Sequence, residues 1–122
     1  MFEKFPHLKP YKKGNLEILA YQDGVVLLID GLQWMGYEPT KEVTFRQLKA
    51  EIELAYGHCV TTGLGLGLKE VSLAKKESVT KITIIEQSQE VVDWFKQATA
   101  ESNTDISKME FIVGDAEQVK IS

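Results

Sequence analysis

The segment that most constrains the fold is a glycine-rich turn at residues 63–67 (Gly-Leu-Gly-Leu-Gly) between a β-prone run and a helix-prone run. Cys59–Thr62 predicts a strand before the turn, and the residues after it to about Lys76 predict a helix. Because glycine lacks a Cβ atom, this backbone can bend sharply and approach a ligand beside the free N–H groups of the helix start. A turn of this kind is a weak signal alone, since a ligand-free strand-to-helix turn has the same composition.

The chain continues to alternate between strand and helix patterns after this turn. Lys81–Ile85 predicts a second strand, Gln89 to about Ala100 predicts a helix, and Met109–Val113 predicts a third strand. Strands that alternate with helices of this length predict βαβ units with right-handed crossovers. We therefore predict an α/β fold with a Rossmann-like parallel sheet over residues 58–122.

A β-hairpin and a helix are predicted upstream of the parallel sheet. Leu16–Tyr21 and Val25–Ile29 are β-prone runs joined through an Asp-Gly pair, which is a strong hairpin signal. Asp30-Gly31 then ends the second strand. Residues 33–39 predict a loop, and apolar residues at helical spacing predict a helix over residues 41–57, capped at Thr40. Residues 1–15, rich in lysine and proline, predict an irregular or partly ordered lead-in. Residues 16–122 are then a single domain.

Composition and charge argue against several classes of function. The net charge is −4, and three lysines within residues 9–13 are the nearest approach to a basic patch, so no nucleic-acid partner is expected. No apolar run is long enough for a membrane span, and lysines interrupt the N-terminal segment, so we expect a cytoplasmic protein without a membrane partner. One cysteine and two separated histidines, His7 and His58, predict no metal site.

Two carboxylates are expected to meet the glycine turn. Glu86 closes the second predicted strand 19 residues after Gly67, and Asp115 follows the third. Because parallel strands bring their carboxyl ends to one edge of the sheet, these side chains should converge there. The carboxylate of Glu86 can accept hydrogen bonds from ribose hydroxyls, and that of Asp115 can accept a hydrogen bond from the exocyclic amine of adenine. The alternatives are a solvated strand end at Glu86 and an ordinary Gly-Asp turn at Asp115.

The same segments resemble two related families. Residues 60–67 (VTTGLGLG), 83–86 (TIIE) and 111–116 (FIVGDA) are similar to the first three motifs of class I S-adenosylmethionine-dependent methyltransferases. Residues 26–33 (VLLIDGLQ) resemble the hairpin and Asp-Gly-x-x-Gln segment that precede the Rossmann domain of spermidine synthases. Together these similarities cover most of the chain from about Leu16 onward.

This resemblance implies S-adenosylmethionine as the cofactor. The glycines would lie along its methionine and ribose portions, Glu86 would bind the ribose hydroxyls, and Gln33 would cover the cofactor from the hairpin side. The two residues after Glu86 would flank the adenine, and Asp115 with its successor would contact the adenine edge. The implied cofactor-binding residues are Gln33, Thr61, Gly63, Leu64, Gly65, Gly67, Glu86, Gln87, Ser88, Asp115 and Ala116.

The sequence departs from the family pattern in two places. Methyltransferases of this class usually carry an acidic residue two positions before the first glycine, and this chain has Thr61 there. The chain ends at Ser122, just after the third predicted strand, so the fourth strand with its acceptor-binding residues is expected to be absent. The first Rossmann strand would then have an open edge, which the hairpin or a second subunit could cover. We expect a homo-oligomer.

Several functions remain open at this point. The first is a methyltransferase that acts mainly by positioning donor and acceptor, with catalytic residues that the sequence does not identify. The second is a non-catalytic or regulatory module that binds the cofactor, and the third is the same fold with a dinucleotide ligand. Trp34 and Met35 belong to the pocket wall, to the core or to an interface. Glu38 and Glu42 are acid–base candidates or solvated residues.

Overall fold

This computed structural model of the protein describes residues 5–21, 24–37 and 49–115. Within these residues the chain forms two sheets, two complete helices and a further helical segment at residues 49–54. The elements in chain order are β1 Tyr11–Lys13, β2 Leu16–Ala20, β3 Val25–Ile29, β4 Leu32–Tyr37, β5 Gly57–Thr62, α1 Leu68–Ala74, β6 Val79–Glu86, α2 Gln89–Glu101 and β7 Met109–Val113.

The first sheet is antiparallel, in the order β1-β2-β3-β4. It confirms the predicted β2–β3 hairpin, in which Ala20 pairs with Val25. The loop predicted over residues 33–39 is wrong for residues 33–37, which belong to strand β4 and pair with β3. Asp30 and Gly31 have φ values of 53° and 77°, the positive pair that a two-residue type I′ hairpin turn needs. The second Asp-Gly pair therefore begins another hairpin rather than ending the strands.

The predicted irregular lead-in is also wrong in part. Tyr11–Lys13 pairs antiparallel with β2 through a tight turn in which Gly14 has a φ of 58°. Upstream of this strand, Phe5 and Leu8 are each 3% exposed. A glycine at the first central position of a two-residue turn matches the twist of the flanking strands. Burial of the apolar residues before the strand then ties the lead-in to the core.

The second sheet is parallel, in the order β5-β6-β7, and confirms the predicted α/β architecture. Its central strand β6 is buried over residues 82–86, as expected for a strand with neighbours on both sides. Helix α2 buries Val91, Val92, Trp94 and Phe95 on one stripe. The Ser88 side chain accepts a hydrogen bond from the Val91 N–H and so caps the start of this helix.

Strand β5 lies at the edge of the parallel sheet, and no described strand pairs with its outer side. The predicted hairpin does not extend this edge, because it belongs to the other sheet. The expected homo-oligomer stays a prediction.

Thr40 and most of the helix predicted over residues 41–57 lie outside the described residues, as do Glu38, Glu42 and Ala116. The structure confirms helix at residues 49–54, and Gly57 then opens β5 with a φ of 66°.

A single apolar core joins the two sheets and both helices. His7 lies within it at 1% exposure, with its ring against Phe5, Trp94 and Phe95. Its Nε2–H donates a hydrogen bond to the carbonyl oxygen of Leu66 at 2.7 Å, so the lead-in is attached to the glycine turn. Burial lowers the pKa of the imidazole, and the charge of Lys75 adds to this effect, although the bond to Leu66 opposes it.

In the folded protein we expect the His7 imidazole to take up its proton only at a pH lower than 6.5, the ordinary pKa of histidine. Since the unfolded chain takes up this proton first, the contribution of His7 to stability is present above pH 6.5 and is lost as the pH falls toward the lower folded pKa. NMR titration of the two imidazoles should show the His7 midpoint below 6.5. A His58→Gln variant assigns the signals by removing the other histidine, and a His7 midpoint at or above 6.5 would contradict the prediction.

Candidate functional site

A cavity of about 690 Å³ opens where the three parallel strands end, between the parallel sheet and the antiparallel sheet. The glycine turn, the start of α2 and the residues after β7 form one side of it, and strands β3 and β4 form the other. Its lining residues are Leu27, Ile29, Trp34, Met35, Gly63, Gly65, Ile85, Glu86, Gln87, Ser88, Val91, Gly114 and Asp115. The opening therefore lies at the carboxyl edge of the parallel sheet, which is where open α/β sheets bind their ligands.

The three glycines of the turn have different surroundings. All have positive φ, with values of 80° at Gly63, 55° at Gly65 and 75° at Gly67. Gly63 and Gly65 line the cavity, whereas a Cβ atom on Gly67 would overlap the ring of Phe95 in the core. Gly67 therefore serves helix packing, and the first two glycines give the backbone its approach to the cavity.

Met35 on strand β4 lies directly against the turn. A Cβ atom on Gly65 would overlap its sulfur, and the Leu66 N–H donates a hydrogen bond to Met35 Sδ at 3.3 Å. A β-bulge between Leu27 and Leu28 accommodates Trp34 as an additional residue in β4. Trp34 and Met35 consequently both reach the cavity, where Trp34 is 67% exposed.

Glu86 holds the glycine turn and the start of α2 together. Its Oε1 accepts a hydrogen bond from the Leu64 N–H at 2.9 Å, and its Oε2 accepts one from the Ser88 N–H at 2.7 Å. The side chain is only 9% exposed, yet it lines the cavity. A carboxylate has about four acceptor positions, so about two remain after these bonds. Glu86 thus has a structural role and can still accept hydrogen bonds from the hydroxyl groups of a ligand.

The other predicted site residues do not all lie at the large cavity. Gln87, Ser88 and Asp115 line the cavity, with Ser88 also capping α2. Gln33 is exposed and is not among the cavity's lining residues; its amide lies near Gly36 instead. Thr61 and Leu64 line a second, smaller cavity beside the turn.

Sequence reasoning missed most of the apolar wall. Leu27 and Ile29 of β3, Ile85 of β6 and Val91 of α2 all line the cavity. The alternation of β3 identifies a buried face but does not say which surface that face meets. Sequence reasoning also passed over Glu70, a buried carboxylate on α1 that lines the second cavity. The available signal was its position one helical turn before the buried Leu73.

The composition of the wall limits the ligands that suit the large cavity. Among the described lining residues the charged side chains are Glu86 and Asp115, and no lysine, arginine or histidine is present. Such a wall fits a neutral or cationic ligand with hydroxyl groups and a flat apolar ring.

The described residues contain no group of acidic, cysteine or histidine side chains arranged to hold a metal ion. Within the same part of the chain, no helix is long and apolar enough to span a membrane.

No family model matches this chain, and neither does any curated protein. Among solved structures, spermidine synthase from Thermotoga maritima superposes with a TM-score of 0.61 and 17% identity, over 88% of this chain and 41% of its own. A spermidine synthase in complex with the transition-state analogue AdoDATO gives a TM-score of 0.56 and 15% identity, over 88% of this chain and 40% of its own.

A third solved structure, "A putative sam-dependent methyltransferase from Streptococcus mutans", gives a TM-score of 0.51 and 15% identity, over 90% of this chain and 29% of its own. The chain therefore has the α/β fold shared by spermidine synthases and SAM-dependent methyltransferases. It spans about two fifths of the length of the two synthases. At these identities the likeness concerns the fold.

Proposed function

We propose that this protein binds S-adenosylmethionine in the large cavity and belongs functionally with methyltransferases. The observation that carries the proposal is the hydrogen-bonded unit of the glycine turn, Glu86 and the start of α2, which faces a cavity of about 690 Å³. That volume lies within the roughly 300–1,000 Å³ typical of small-molecule sites.

The residues present suit the chemical parts of this cofactor. The remaining acceptor positions of Glu86 suit the two ribose hydroxyls, and the apolar wall with Trp34 suits the adenine ring. A sulfonium group is cationic, which matches a cavity whose described charged residues are both acidic. When bound, the cofactor supplies an electrophilic methyl group. The role of this chain is then to orient the cofactor and to exclude water around it.

A dinucleotide fits the same cavity less well. Its pyrophosphate is anionic, and the described lining residues offer two carboxylates and no cationic side chain to compensate that charge. We therefore place S-adenosylmethionine ahead of NAD as the ligand.

A second candidate function is cofactor binding without group transfer. It is favoured by the described cavity wall, which has no lysine, histidine, cysteine or tyrosine and whose two carboxylates lie where the nucleoside is expected. Incubation of the protein with methyl-labelled S-adenosylmethionine and a cell extract distinguishes the two functions. A methyltransferase transfers label to an acceptor, whereas a binding module leaves all label in the cofactor.

Binding itself is tested with S-adenosylhomocysteine, the demethylated product. We expect isothermal titration to give micromolar binding and the fluorescence of the exposed Trp34 to change on addition of ligand. The signal from Trp94, which is 1% exposed, should stay constant, so a Trp34→Phe variant should lose the change. Glu86→Gln should weaken binding by about 10–100-fold, because a charge-assisted hydrogen bond contributes roughly 1.5–3 kcal/mol.

Glu90→Gln is the matched control for this substitution. Glu90 is exposed and lies near the start of the same helix, and it does not line the cavity. We expect this variant to bind the ligand as the unchanged protein does. Circular dichroism should show that Glu86→Gln keeps its fold. Absence of binding of both S-adenosylmethionine and S-adenosylhomocysteine would refute the proposed function, and tighter binding of NAD would reassign the ligand.

A further inference from the structure

The outer edge of strand β5 is open, since no described strand pairs with it. The pairing of β5 with β6 is regular from His58 to Thr62. The Gly63 N–H donates a hydrogen bond to the carbonyl oxygen of Ile85 at 2.8 Å, so the odd-numbered residues before it direct their backbone groups at β6. Because successive residues of a strand point these groups to opposite sides, the N–H and C=O groups of His58, Val60 and Thr62 face the outer edge.

The other three sheet edges have features that oppose pairing with a further strand. Strand β1 carries two lysines, and β7 carries Glu110, whose carboxylate lies 3.0 Å from the Lys81 ammonium. Strand β4 contains the bulge opposite Leu27 and Leu28. Charged residues and bulges are the usual protection of an edge strand. The β5 residues 58–62 contain no bulge and no lysine, arginine, aspartate, glutamate or proline, so β5 is the least protected of the described edges.

Apolar side chains are exposed beside the same edge. Val60 is 47% exposed, and Leu54 and Tyr56, which come just before the strand, are each 79% exposed. These are three of the seven large apolar side chains that are exposed among the described residues. Parallel sheets are normally covered on both faces, so such exposure on β5 is unusual. The edge thus combines unpaired backbone groups with apolar surface, which together suit the addition of a strand.

The residues at this edge match a second copy of themselves. When two β5 strands pair antiparallel about a two-fold axis at Val60, His58 of each copy lies opposite Thr62 of the other, and the two Val60 residues lie opposite each other. An apolar pair is then flanked by two polar pairs, and no like charges are opposed. The three outward-facing residues of each copy form about six backbone hydrogen bonds across the axis. Such a contact is closed at two copies, so no open β5 edge remains.

We propose that this protein forms a homodimer in which the β5 strands of two copies pair antiparallel about Val60. The two three-stranded parallel sheets then form one continuous six-stranded sheet. A second copy is the partner because the edge is complementary to itself in charge and in the order of polar and apolar residues. None of the β5 residues lines the large cavity, so this interface does not depend on the ligand proposed above.

Sedimentation velocity of matched variants tests the interface. The unchanged protein should sediment as a dimer at about 100 μM. Val60→Lys places two like charges opposite each other at the axis and should weaken the dimer by about 10–100-fold. Val113→Lys is the control, because it makes the same change at a 43% exposed valine on β7, the other edge of this sheet, and should leave the dimer intact. Circular dichroism checks that both variants remain folded. A monomeric unchanged protein, or an equal effect of the two variants, would overturn the proposal.

Disulfide crosslinking tests the register of the pairing. Cys59→Ser removes the single native thiol. In that background Val60→Cys puts two thiols on facing residues whose Cα atoms are about 5.5 Å apart, within the range for a disulfide. We expect oxidation with copper phenanthroline to give a covalent dimer that a reducing agent separates.

Thr62→Cys in the same background is the control for register. It lies on the same edge, but its two copies would be about 14 Å apart, so little crosslinking is expected. Crosslinking of Thr62→Cys equal to or greater than that of Val60→Cys would contradict the axis at Val60. Absence of crosslinking in both variants would contradict the pairing of the β5 strands.

Discussion

Gly67→Ala should destabilise the protein by about 2–5 kcal/mol, from positive-φ strain of roughly 1–2 kcal/mol and overpacking of roughly 1–3 kcal/mol. Gly67 has a φ of 75°, and a Cβ atom there would overlap the ring of Phe95, which is fully buried. The ring cannot move away without displacing its neighbours Trp94 and Phe111. A loss of this size is a large fraction of the stability of a small domain, roughly 5–15 kcal/mol.

Gly31→Ala separates the two contributions to this loss. Gly31 has a φ of 77°, but no atom lies within 4 Å of the position that its Cβ would take. This variant therefore carries the backbone strain without the steric overlap, and we expect it to lose only about 1–2 kcal/mol. Urea unfolding of both variants measures the difference. Equal losses in the two would show that Phe95 adjusts freely, contrary to the packing seen in the structure.

Glu70→Gln should stabilise the ligand-free protein at alkaline pH by up to about 3 kcal/mol, since each pKa unit corresponds to about 1.36 kcal/mol. The pKa of Glu70 rises from 4.5 to about 7 on folding. Between these values the unfolded chain has released the proton and the folded chain has not, so stability falls as the pH rises from 4.5 to about 7. Glutamine keeps the shape of the protonated side chain and removes this dependence.

The measurement is the free energy of unfolding of both proteins between pH 5 and pH 8.5. The difference between them isolates Glu70, because His7 has an opposite pH dependence that is common to both. We expect the variant to be no more than slightly more stable at pH 5 and clearly more stable at pH 8.5. Glu77→Gln, an exposed substitution, should follow the unchanged protein throughout. A difference independent of pH would mean that the carboxyl of Glu70 is not held protonated by burial.

The sequence predicted the parallel sheet and its glycine turn because these depend on local patterns. β-branched runs alternate with helical periodicity, and Gly63, Gly65 and Gly67 mark the bend. It mispredicted strands β1 and β4. In both cases a two-residue turn, at Gly14 and at Asp30-Gly31, was interpreted as irregular chain or as the end of a strand. A turn signal indicates where the chain reverses, but whether a following segment pairs depends on the sheet that it meets.

Chain order and glycine spacing were sufficient to determine which strand ends meet, and so to bring Glu86 and Asp115 to one edge. Only the tertiary structure decided what faces that edge: the apolar wall from β3 and β4, the contact of Met35 with the turn, and the burial of Glu70 beside Thr61. The physical reason is that backbone periodicity is local, whereas the charge state and partners of a side chain depend on residues distant in sequence. Glu70 on α1 and Thr61 on β5 line one cavity although they belong to different elements of secondary structure.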